Sequence, residues 1–193
     1  MPDIERHPFE PFLPTDACVL FLGSFPPQRK RWCMEFYYPN WLNDFWRVCG
    51  LVFFGEKDYF VLLGQKRFDL ELIKKFCIEK GIALFDTATE VRRLQDNASD
   101  KFLEVVTPTD LPALLARIPS CRAIVTTGQK ATETIVSTYS NSSIPPVGGC
   151  TGIVIGGRPM NFYRMPSTSR AYPLSLEKKA DAYRQLFTSL GLL

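Results

Sequence analysis

Short apolar runs alternate along the chain with segments in which apolar residues recur every three or four positions. The runs at residues 18–22, 82–85 and 123–127 are continuous, which is typical of strands buried on both faces of a sheet. A glycine pair, Gly156 and Gly157, predicts a hairpin that leads into a fourth strand at residues 161–165. The pattern therefore predicts a sheet of four strands.

Helical spacing predicts five helices between and after these strands. They cover residues 40–53, 69–80, 111–118 and 129–138, and a last helix begins after Ser175. Asp69 is suited to cap the second helix and Gly81 to end it, because aspartate accepts bonds from free N–H groups and glycine adopts a left-handed backbone. Strands that alternate with helices predict an α/β sandwich around a mainly parallel sheet.

The composition narrows the class of protein. The chain has 193 residues, of which 46% are hydrophobic and 22% charged, values typical of a globular protein with one domain over residues 1–193. Its apolar runs are far shorter than a membrane span, and its first residues show no apolar signal region. Six cysteines occur without a C-x-x-C pair, so reduced thiols are expected rather than a metal or iron–sulfur site. We therefore expect a cytoplasmic protein without a metal.

Charge and histidine content narrow the chemistry. The formal net charge is +3, and residues 105–193 hold nine basic and four acidic residues, an excess that phosphate contacts could use. The single histidine, His7, lies in a proline-rich tail, where a catalytic role is not expected. Reactions that need an imidazole in the core, such as those of a Ser-His-Asp triad, are therefore disfavoured.

Ligands of parallel α/β sheets bind beyond the carboxyl ends of the strands. That rule directs attention to four loops, at residues 23–27, 86–93, 128–130 and 166–172. The first, which contains Gly23, Phe25 and two prolines, is either a rigid turn or a preorganised pocket floor that faces a planar ligand. The last combines hydroxyls, a cation and an aromatic ring, which suits either phosphate binding with insertion into a base stack or a helix-capping turn.

Polar groups near aromatic residues and strand ends supply further candidates. Residues 37–46 are rich in aromatic side chains, and Phe45 and Trp46 are expected to build the core. Asn43 is polar in this apolar setting, so its amide must bond either the backbone or a ligand. Asp86 follows the second strand, where a carboxylate is either a general base or an ordinary loop residue.

Several short motifs follow one another in a recognisable order. They are Leu22-Gly23-Ser24-Phe25-Pro26-Pro27, Tyr37-Tyr38 with Asn43-x-Phe45-Trp46, residues 81–86, residues 96–100, Thr127-Gly128-Gln-Lys-Ala131 and Met165-Pro166-Ser167-Thr168-Ser169. Together they span the chain from about residue 18 to residue 187. The set resembles the uracil-DNA glycosylase superfamily, and most closely its hypoxanthine-DNA glycosylase branch, which is akin to the mismatch-specific uracil glycosylases.

This resemblance implies a three-layer α/β/α sandwich with a central four-stranded, mainly parallel sheet. It also implies a monomeric, monofunctional enzyme that hydrolyses the N-glycosidic bond of a deaminated base, uracil or hypoxanthine, in DNA without a cofactor. The first motif lacks the aspartate or asparagine that other branches carry there, and Met165 replaces a histidine that stabilises the departing base. The leaving base must then be stabilised without an imidazole.

The resemblance also implies roles for individual residues. Asn43 falls on the catalytic asparagine of that branch, and it either positions the water or forms a hydrogen bond with the base. The catalytic candidates are Asn43, Ser24, Asp86 and Asp100. The base-binding candidates are Gly23, Phe25, Pro26, Tyr37, Tyr38, Phe45 and Gly128. The DNA backbone is expected to contact Ser167, Thr168, Ser169, Arg170, Tyr172 and Lys130, with Ala171 or Tyr172 as a wedge in the base stack.

Two other functions stay open on the sequence. A catalytically silent nucleic-acid-binding protein of the same fold would also account for the departures from the motifs. An esterase-like hydrolase could use Ser24 or Ser167, although neither stands in a G-x-S-x-G turn or has an evident histidine partner.

Overall fold

The computed structural model describes residues 2–95, 100–139 and 143–193, in which it has eight strands, five α-helices and two short 3-10 helices. In chain order the strands are β1 (Ile4–Arg6), β2 (Val19–Gly23), β3 (Ile82–Asp86), β4 (Ala88–Arg93), β5 (Leu103–Pro108), β6 (Ala123–Thr127), β7 (Gly149–Ile155) and β8 (Arg158–Met165). The helices are α1 (Phe45–Phe54), α2 (Leu70–Lys80), α3 (Leu111–Arg117), α4 (Gln129–Thr138) and α5 (Leu176–Ser189). No helix within the described ranges is long and apolar enough to cross a bilayer.

The central sheet has five strands in the order β3-β2-β6-β8-β7. The first four are parallel to one another, whereas β7 runs antiparallel to β8 at the edge. The sheet is thus mainly parallel, as expected, but it has five strands where the sequence predicts four. The reason is the hairpin, whose first arm pairs with β8 from Gly149 beside Arg164 to Ile155 beside Arg158 and so extends the sheet.

Helices α1, α2 and α5 pack together through a cluster of aromatic rings on one face of this sheet. The Phe53 ring of α1 lies 4.9 Å from Phe76 of α2 and 4.7 Å from Phe187 of α5, and Phe21 of β2 packs on Phe187. The chain runs through α1 and α2 from β2 to β3, its neighbour on one side in the sheet. It then runs through α3 to β6 and through α4 towards β8, in the opposite direction across the sheet. Right-handed crossovers therefore place α3 and α4 on the other face, which makes three layers.

A second sheet, with antiparallel strands in the order β1-β4-β5, is absent from the sequence-based predictions. The expectation of a loop at residues 86–93 is wrong, because Ala88–Arg93 forms β4 between two partner strands. One of these partners, β1, comes from the N-terminal tail, with Ile4 opposite Arg92. A strand of three residues shows no alternation in the sequence, and its partner lies far along the chain, so local patterns do not indicate it.

Helix α1 begins later than the apolar spacing predicts, at Phe45 instead of residue 40. The Asn40 side chain accepts a hydrogen bond from Leu42 N, and the Asn43 side chain accepts one from Phe45 N, both at 2.9 Å. Short polar side chains that bond the backbone in this way compete with helical hydrogen bonds. Residues 40–44 consequently form a loop, and this loop lies beside the carboxyl ends of the parallel strands.

Candidate active site

A cleft opens where the parallel strands β2, β3, β6 and β8 end, as the rule for such sheets predicts. Its volume is about 120 Å³, which is room for several water molecules or one small planar heterocycle. Twelve of the candidate residues from the sequence meet there: Gly23, Ser24, Phe25, Pro26, Tyr37, Tyr38, Asn43, Asp86, Asp100, Ser167, Thr168 and Ser169. The cleft thus unites segments from most of the length of the chain.

The loop after β2 forms one wall of the cleft and is held in place from two sides. Arg93 Nη2 donates to the Pro26 carbonyl at 3.1 Å, and the Ser24 hydroxyl donates to Asp100 Oδ2 at 2.7 Å. Phe25 is buried against the second sheet and also lines the cleft. Of the two interpretations of this loop, the geometry therefore favours a preorganised wall.

Two tyrosines form an aromatic wall that is fixed by its surroundings. The Tyr38 ring stacks on Phe45 with centroids 3.9 Å apart, and its hydroxyl lies 3.0 Å from Thr127 Oγ1. Tyr38 adopts a left-handed backbone with φ 52°, which costs about 1 kcal/mol or more in a residue other than glycine. Burial raises the pKa of both Tyr37 and Tyr38, so their hydroxyls stay protonated. Phe45 supports Tyr38 from behind and is not on the cleft surface, so it cannot make the base contact expected of it.

Asn43 lines the cleft with an amide whose orientation is fixed by the backbone. Its Oδ1 accepts the hydrogen bond from Phe45 N at 2.9 Å, and an N–H donor requires the oxygen end of the amide. The Nδ2 amino group is therefore at the other end and supplies N–H donors. The backbone of Asn43 also forms an antiparallel bridge with Ser169, so the loop before α1 and the loop after β8 hold each other.

Two carboxylates face the cleft in different settings. Asp86 Oδ2 lies 2.9 Å from His7 Nε2, and its Oδ1 lies so close to Gly23 that a Cβ there would be only 2.4 Å away. Loss of water around the Asp100 carboxyl raises its pKa, the bond from Ser24 lowers it, and the negative charge of Asp86 raises it further. The surroundings of Asp100 therefore favour its protonated form more than water does. Residues 96–99 of the motif that ends at Asp100 lie outside the described residues.

His7 lies directly behind this site, although its place in a proline-rich tail does not indicate a contact there. Strand β1 brings the tail onto β4, and His7 N donates to Thr89 O at 2.8 Å. The His7 side chain is only 4% exposed, and its ring lies 4.6 Å from that of Phe85 and 5.4 Å from that of Phe25. The site therefore has an imidazole behind one of its carboxylates.

The loop after β8 is fixed to α5 and α1 by buried charges. Lys179 Nζ donates to the Ser169 carbonyl at 2.8 Å and to Asp44 Oδ2 at 3.0 Å. Arg170 Nε donates to the other oxygen of Asp44 at 3.1 Å, although its side chain is 45% exposed. Within the loop, Ser167 Oγ accepts from Ser169 N at 3.2 Å. The hydroxyls at the cleft are thus presented by a rigid loop, and the charge of Arg170 is shared with an aspartate.

Four other candidates lie off the cleft surface: Gly128, Lys130, Arg170 and Tyr172. Gly128 has φ 114° and makes the turn between β6 and α4, so a turn explains this glycine without a base contact. Lys130 lies in the first turn of α4, and Tyr172 N donates to Ser169 O at 3.1 Å beyond the loop. These positions suit contacts outside the cleft.

Six residues that line the cleft are missing from the sequence-based candidates: Pro27, Pro39, Asn40, Leu42, Arg93 and Thr127. Thr127 ends β6 and bonds Tyr38, and Arg93 holds the first loop. Leu42 precedes Asn43 and is 51% exposed although it is apolar. Thr127 could have been predicted, because it ends a strand whose apolar run is evident in the sequence. Arg93 could not, because it lies on β4, a strand that the sequence does not predict.

Neither candidate nucleophile has the partner that an esterase needs. Ser24 donates to Asp100, and Ser167 accepts from the backbone, while the His7 imidazole bonds Asp86 and Phe9. The described residues therefore hold no serine–histidine pair. Within the same residues, no cluster of three or more His, Cys, Asp or Glu side chains could hold a metal ion.

Comparison with solved structures gives a similar fold. A solution NMR structure from Methanosarcina acetivorans, of a protein provisionally assigned as a uracil DNA glycosylase, matches with a TM-score of 0.65 and 22% sequence identity. The match covers 98% of this chain and 99% of that chain. Comparisons with protein-family models and with curated proteins give no match. At this identity the likeness shows that the two chains share their fold over nearly their whole length.

Proposed function

We propose that this protein is a DNA glycosylase that hydrolyses the N-glycosidic bond of a deaminated base, uracil or hypoxanthine. The observation that carries the proposal is the Asn43 amide at the cleft, whose oxygen is bonded to Phe45 N so that the amino group serves as a donor. A departing base accumulates negative charge on its carbonyl oxygens, and a fixed donor in a sheltered site stabilises that charge. The shared fold with a protein assigned as a glycosylase supports the same class of reaction.

The cleft suits one base that has left the DNA stack. An enzyme that acts on a base in duplex DNA must first extrude it into a pocket, where aromatic side chains stack on it. Phe25 and Tyr38 line the cleft, and Phe45 fixes the Tyr38 ring from behind. Little rearrangement of the aromatic wall is then needed when the base enters.

Asp100 and Ser24 are suited to act on the water. Cleavage of a glycosidic bond passes through an oxocarbenium-like sugar, and a nearby carboxylate both stabilises this cation and orients the water that attacks it. A general base works best when its pKa approaches the working pH, and the surroundings of Asp100 raise its pKa in that direction. The Ser24 hydroxyl keeps the carboxylate aimed through its 2.7 Å bond.

The rim of the cleft suits the DNA strand. Ser167 and Ser169 bring hydroxyls to the rim on a loop that Lys179 and Asp44 hold rigid, and such hydroxyls commonly bond phosphates. Leu42 is an exposed apolar side chain on the same rim, and leucine is one of the residues that enzymes insert between base steps. We therefore assign the wedge to Leu42 in preference to Ala171 or Tyr172.

A lesion panel tests the proposal. Purified protein is incubated with single- and double-stranded oligonucleotides that carry one uracil, one hypoxanthine or no lesion, and abasic sites are then detected by cleavage in alkali. We expect cleavage of a uracil or hypoxanthine strand only after the alkali step, because the enzyme is monofunctional. Absence of abasic sites from every lesion in both strand forms would reject the proposal.

A second candidate function is favoured by Met165. This residue stands where related enzymes place a histidine, and it is 2% exposed with no proton to give to a leaving base. A catalytically silent nucleic-acid-binding protein of the same fold would need no such group. Binding of lesion-bearing DNA without release of a base, in the same panel, would support this candidate.

A further inference from the structure

His7 and Asp86 form a buried pair, with Asp86 on the cleft surface and His7 behind it. Their side chains are 4% and 10% exposed, and Nε2 lies 2.9 Å from Oδ2. The imidazole is enclosed by aromatic rings, with centroids at 4.6 Å for Phe85, 5.4 Å for Phe25 and 6.2 Å for Tyr37. An apolar enclosure of this kind leaves the carboxylate as the polar partner of Nε2.

The neighbours of the ring determine which nitrogen carries the proton. Nε2 faces a carboxylate, which only accepts hydrogen bonds when it is ionised, so Nε2 must carry a hydrogen. Nδ1 lies 3.2 Å from Phe9 N, which donates to it, and 2.9 Å from Phe9 O, which accepts from it when the ring is charged. In the neutral and the charged ring alike, Nε2–H donates to Asp86.

The second oxygen of Asp86 is also constrained. Oδ1 packs against Gly23, where even a methyl group would lie 2.4 Å away. His7 thus fixes one oxygen and the backbone of the first loop limits the other, so the carboxylate has one orientation at the cleft. Its negative charge contributes to the raised pKa of Asp100, Tyr37 and Tyr38, which all line the same cleft.

We propose that His7 is a positioning residue that holds Asp86 as an oriented acceptor, and that Asp86 selects deaminated bases by accepting a hydrogen bond from their ring N–H. This inference rests on the proposed glycosylase function. Deamination converts the ring nitrogen beside the exocyclic group from an acceptor, in adenine or cytosine, into an N–H donor, in hypoxanthine or uracil. The same change converts the exocyclic amino group into a carbonyl, which accepts from Asn43 Nδ2. Asp86 and Asn43 together therefore match the edge of the deaminated base and oppose that of its parent.

The first test observes the pair directly and needs no catalysis. Because His7 is the single histidine of the chain, the ¹⁵N spectrum of the imidazole contains one residue. We expect the Nε2–H tautomer, or the doubly protonated ring, in the native protein, and a change of the Nε2 resonance in Asp86→Asn. A neutral ring with its proton on Nδ1 would overturn the proposal, since Nε2 could not then donate.

The second test measures selectivity by binding. Oligonucleotides that carry 2′-fluoroarabino-hypoxanthine or 2′-fluoroarabino-adenine resist cleavage, and fluorescence anisotropy gives their affinities. We expect the native protein to prefer hypoxanthine by about 10-fold or more, because a bond to a charged group is lost with adenine. Glutamine can present an N–H near the position of Nε2, so His7→Gln should keep most of this preference, whereas His7→Leu and Asp86→Asn should lose it. Arg6→Gln, a change at the exposed side chain next to His7 in the sequence, is the control and should behave as the native protein.

The outcomes separate this inference from the proposed function. If the native protein releases no base but prefers hypoxanthine in a manner that depends on His7, the proposed catalysis fails and the assignment of the pair stands. If it releases base but binds both oligonucleotides equally, or if His7→Gln loses as much preference as His7→Leu, the pair does not select the base. If His7→Leu does not fold, the proposal is tested by the tautomer of His7 in the native protein and by the affinities of Asp86→Asn for the two oligonucleotides.

Discussion

Lys179 Nζ lies 3.0 Å from Asp44 Oδ2, and both side chains are almost completely buried. Asp44 precedes α1 and follows the candidate catalytic Asn43, while Lys179 belongs to α5. The same ammonium group donates to the Ser169 carbonyl, and Asp44 N donates to the Thr168 carbonyl at 2.8 Å. One ion pair therefore joins α5, the start of α1 and the two cleft loops that meet at the Asn43–Ser169 bridge.

Replacement of Lys179 by methionine tests this connection. It leaves the buried Asp44 with only the half-exposed Arg170 as its ionic partner, and a buried charge that loses its partner typically costs about 3 kcal/mol. We expect a fall of this order in the free energy of unfolding, measured in urea, and weaker DNA binding because the loop after β8 loosens. Lys178→Met, an exposed neighbour, is the control. Equal losses in the two variants would contradict the assigned role.

Gly23 should tolerate no side chain, because Asp86 fills the space beside it. A Cβ would lie 2.4 Å from Asp86 Oδ1, so Gly23→Ala must displace the carboxylate from His7. We expect a stability loss of about 1–3 kcal/mol and a fall of at least about 10-fold in the rate of base release. Gly152→Ala on β7 meets nothing within 4 Å and should leave both quantities unchanged. A fully active Gly23→Ala protein would show that the position of Asp86 is unimportant.

Leu42 should matter for duplex DNA and not for stability. Its side chain is 51% exposed, so Leu42→Ala removes little from the core. A wedge offsets part of the cost of unstacking, which is a few kcal/mol per step, so we expect KM to rise about 10-fold for a duplex and to change little for a single strand. Leu63→Ala, at a side chain that is 97% exposed and away from the cleft, is the matched control. An equal effect on the two strand forms would exclude a wedge.

Asp100 should make stability depend on pH in a defined direction. Its pKa is raised in the folded protein, chiefly by loss of water around the carboxyl group, so the folded state disfavours the ionised form. The contribution of Asp100 to stability is therefore lost as the pH rises from the usual pKa of an aspartate through the higher pKa of the folded protein. It is recovered as the pH falls again. We expect Asp100→Asn to raise the free energy of unfolding at pH 7, with a gain that disappears near about pH 4, the usual range of an aspartate. Urea unfolding between about pH 4 and pH 7 measures this gain, with the exposed Asp181→Asn as control. A gain that does not change with pH would contradict the raised pKa of Asp100.

Local signals in the sequence predicted the four parallel strands of the central sheet and the presence of the five α-helices, but not the added strand β7 or the start of α1. Asp69 caps α2 by accepting from Leu72 N, and Gly81 ends it with φ 64°, as their residue types predict. Ser175 likewise accepts from Lys178 N at the start of α5. These features depend on neighbours within a few positions, and so the sequence displays them.

Features that depend on distant partners were not predictable in this way. The sheet β1-β4-β5 joins the N-terminal tail to strands far along the chain, and it alone brings His7 to Asp86 and Arg93 to Pro26. The resemblance of short motifs found the cleft residues on the parallel strands, because those motifs follow the strands directly. The same resemblance predicts a DNA contact for Arg170. In the fold, Arg170 forms an ion pair with Asp44, which stands at the variable position of the motif Asn43-x-Phe45-Trp46.

The single-turnover release of free base by Asn43 variants measures the role of the Asn43 amide. Asn43→Asp keeps an oxygen to accept from Phe45 N and removes the amino donor, whereas Asn43→Ala removes both. If the donor stabilises the departing base, Asn43→Asp should stay folded, bind the lesion-bearing oligonucleotide and release hypoxanthine or uracil about 100-fold or more slowly than the native protein. Asn43→Ala should be equally slow and also less stable by about 1 kcal/mol. Release by Asn43→Asp at the native rate would contradict the claim that this amide carries the chemistry.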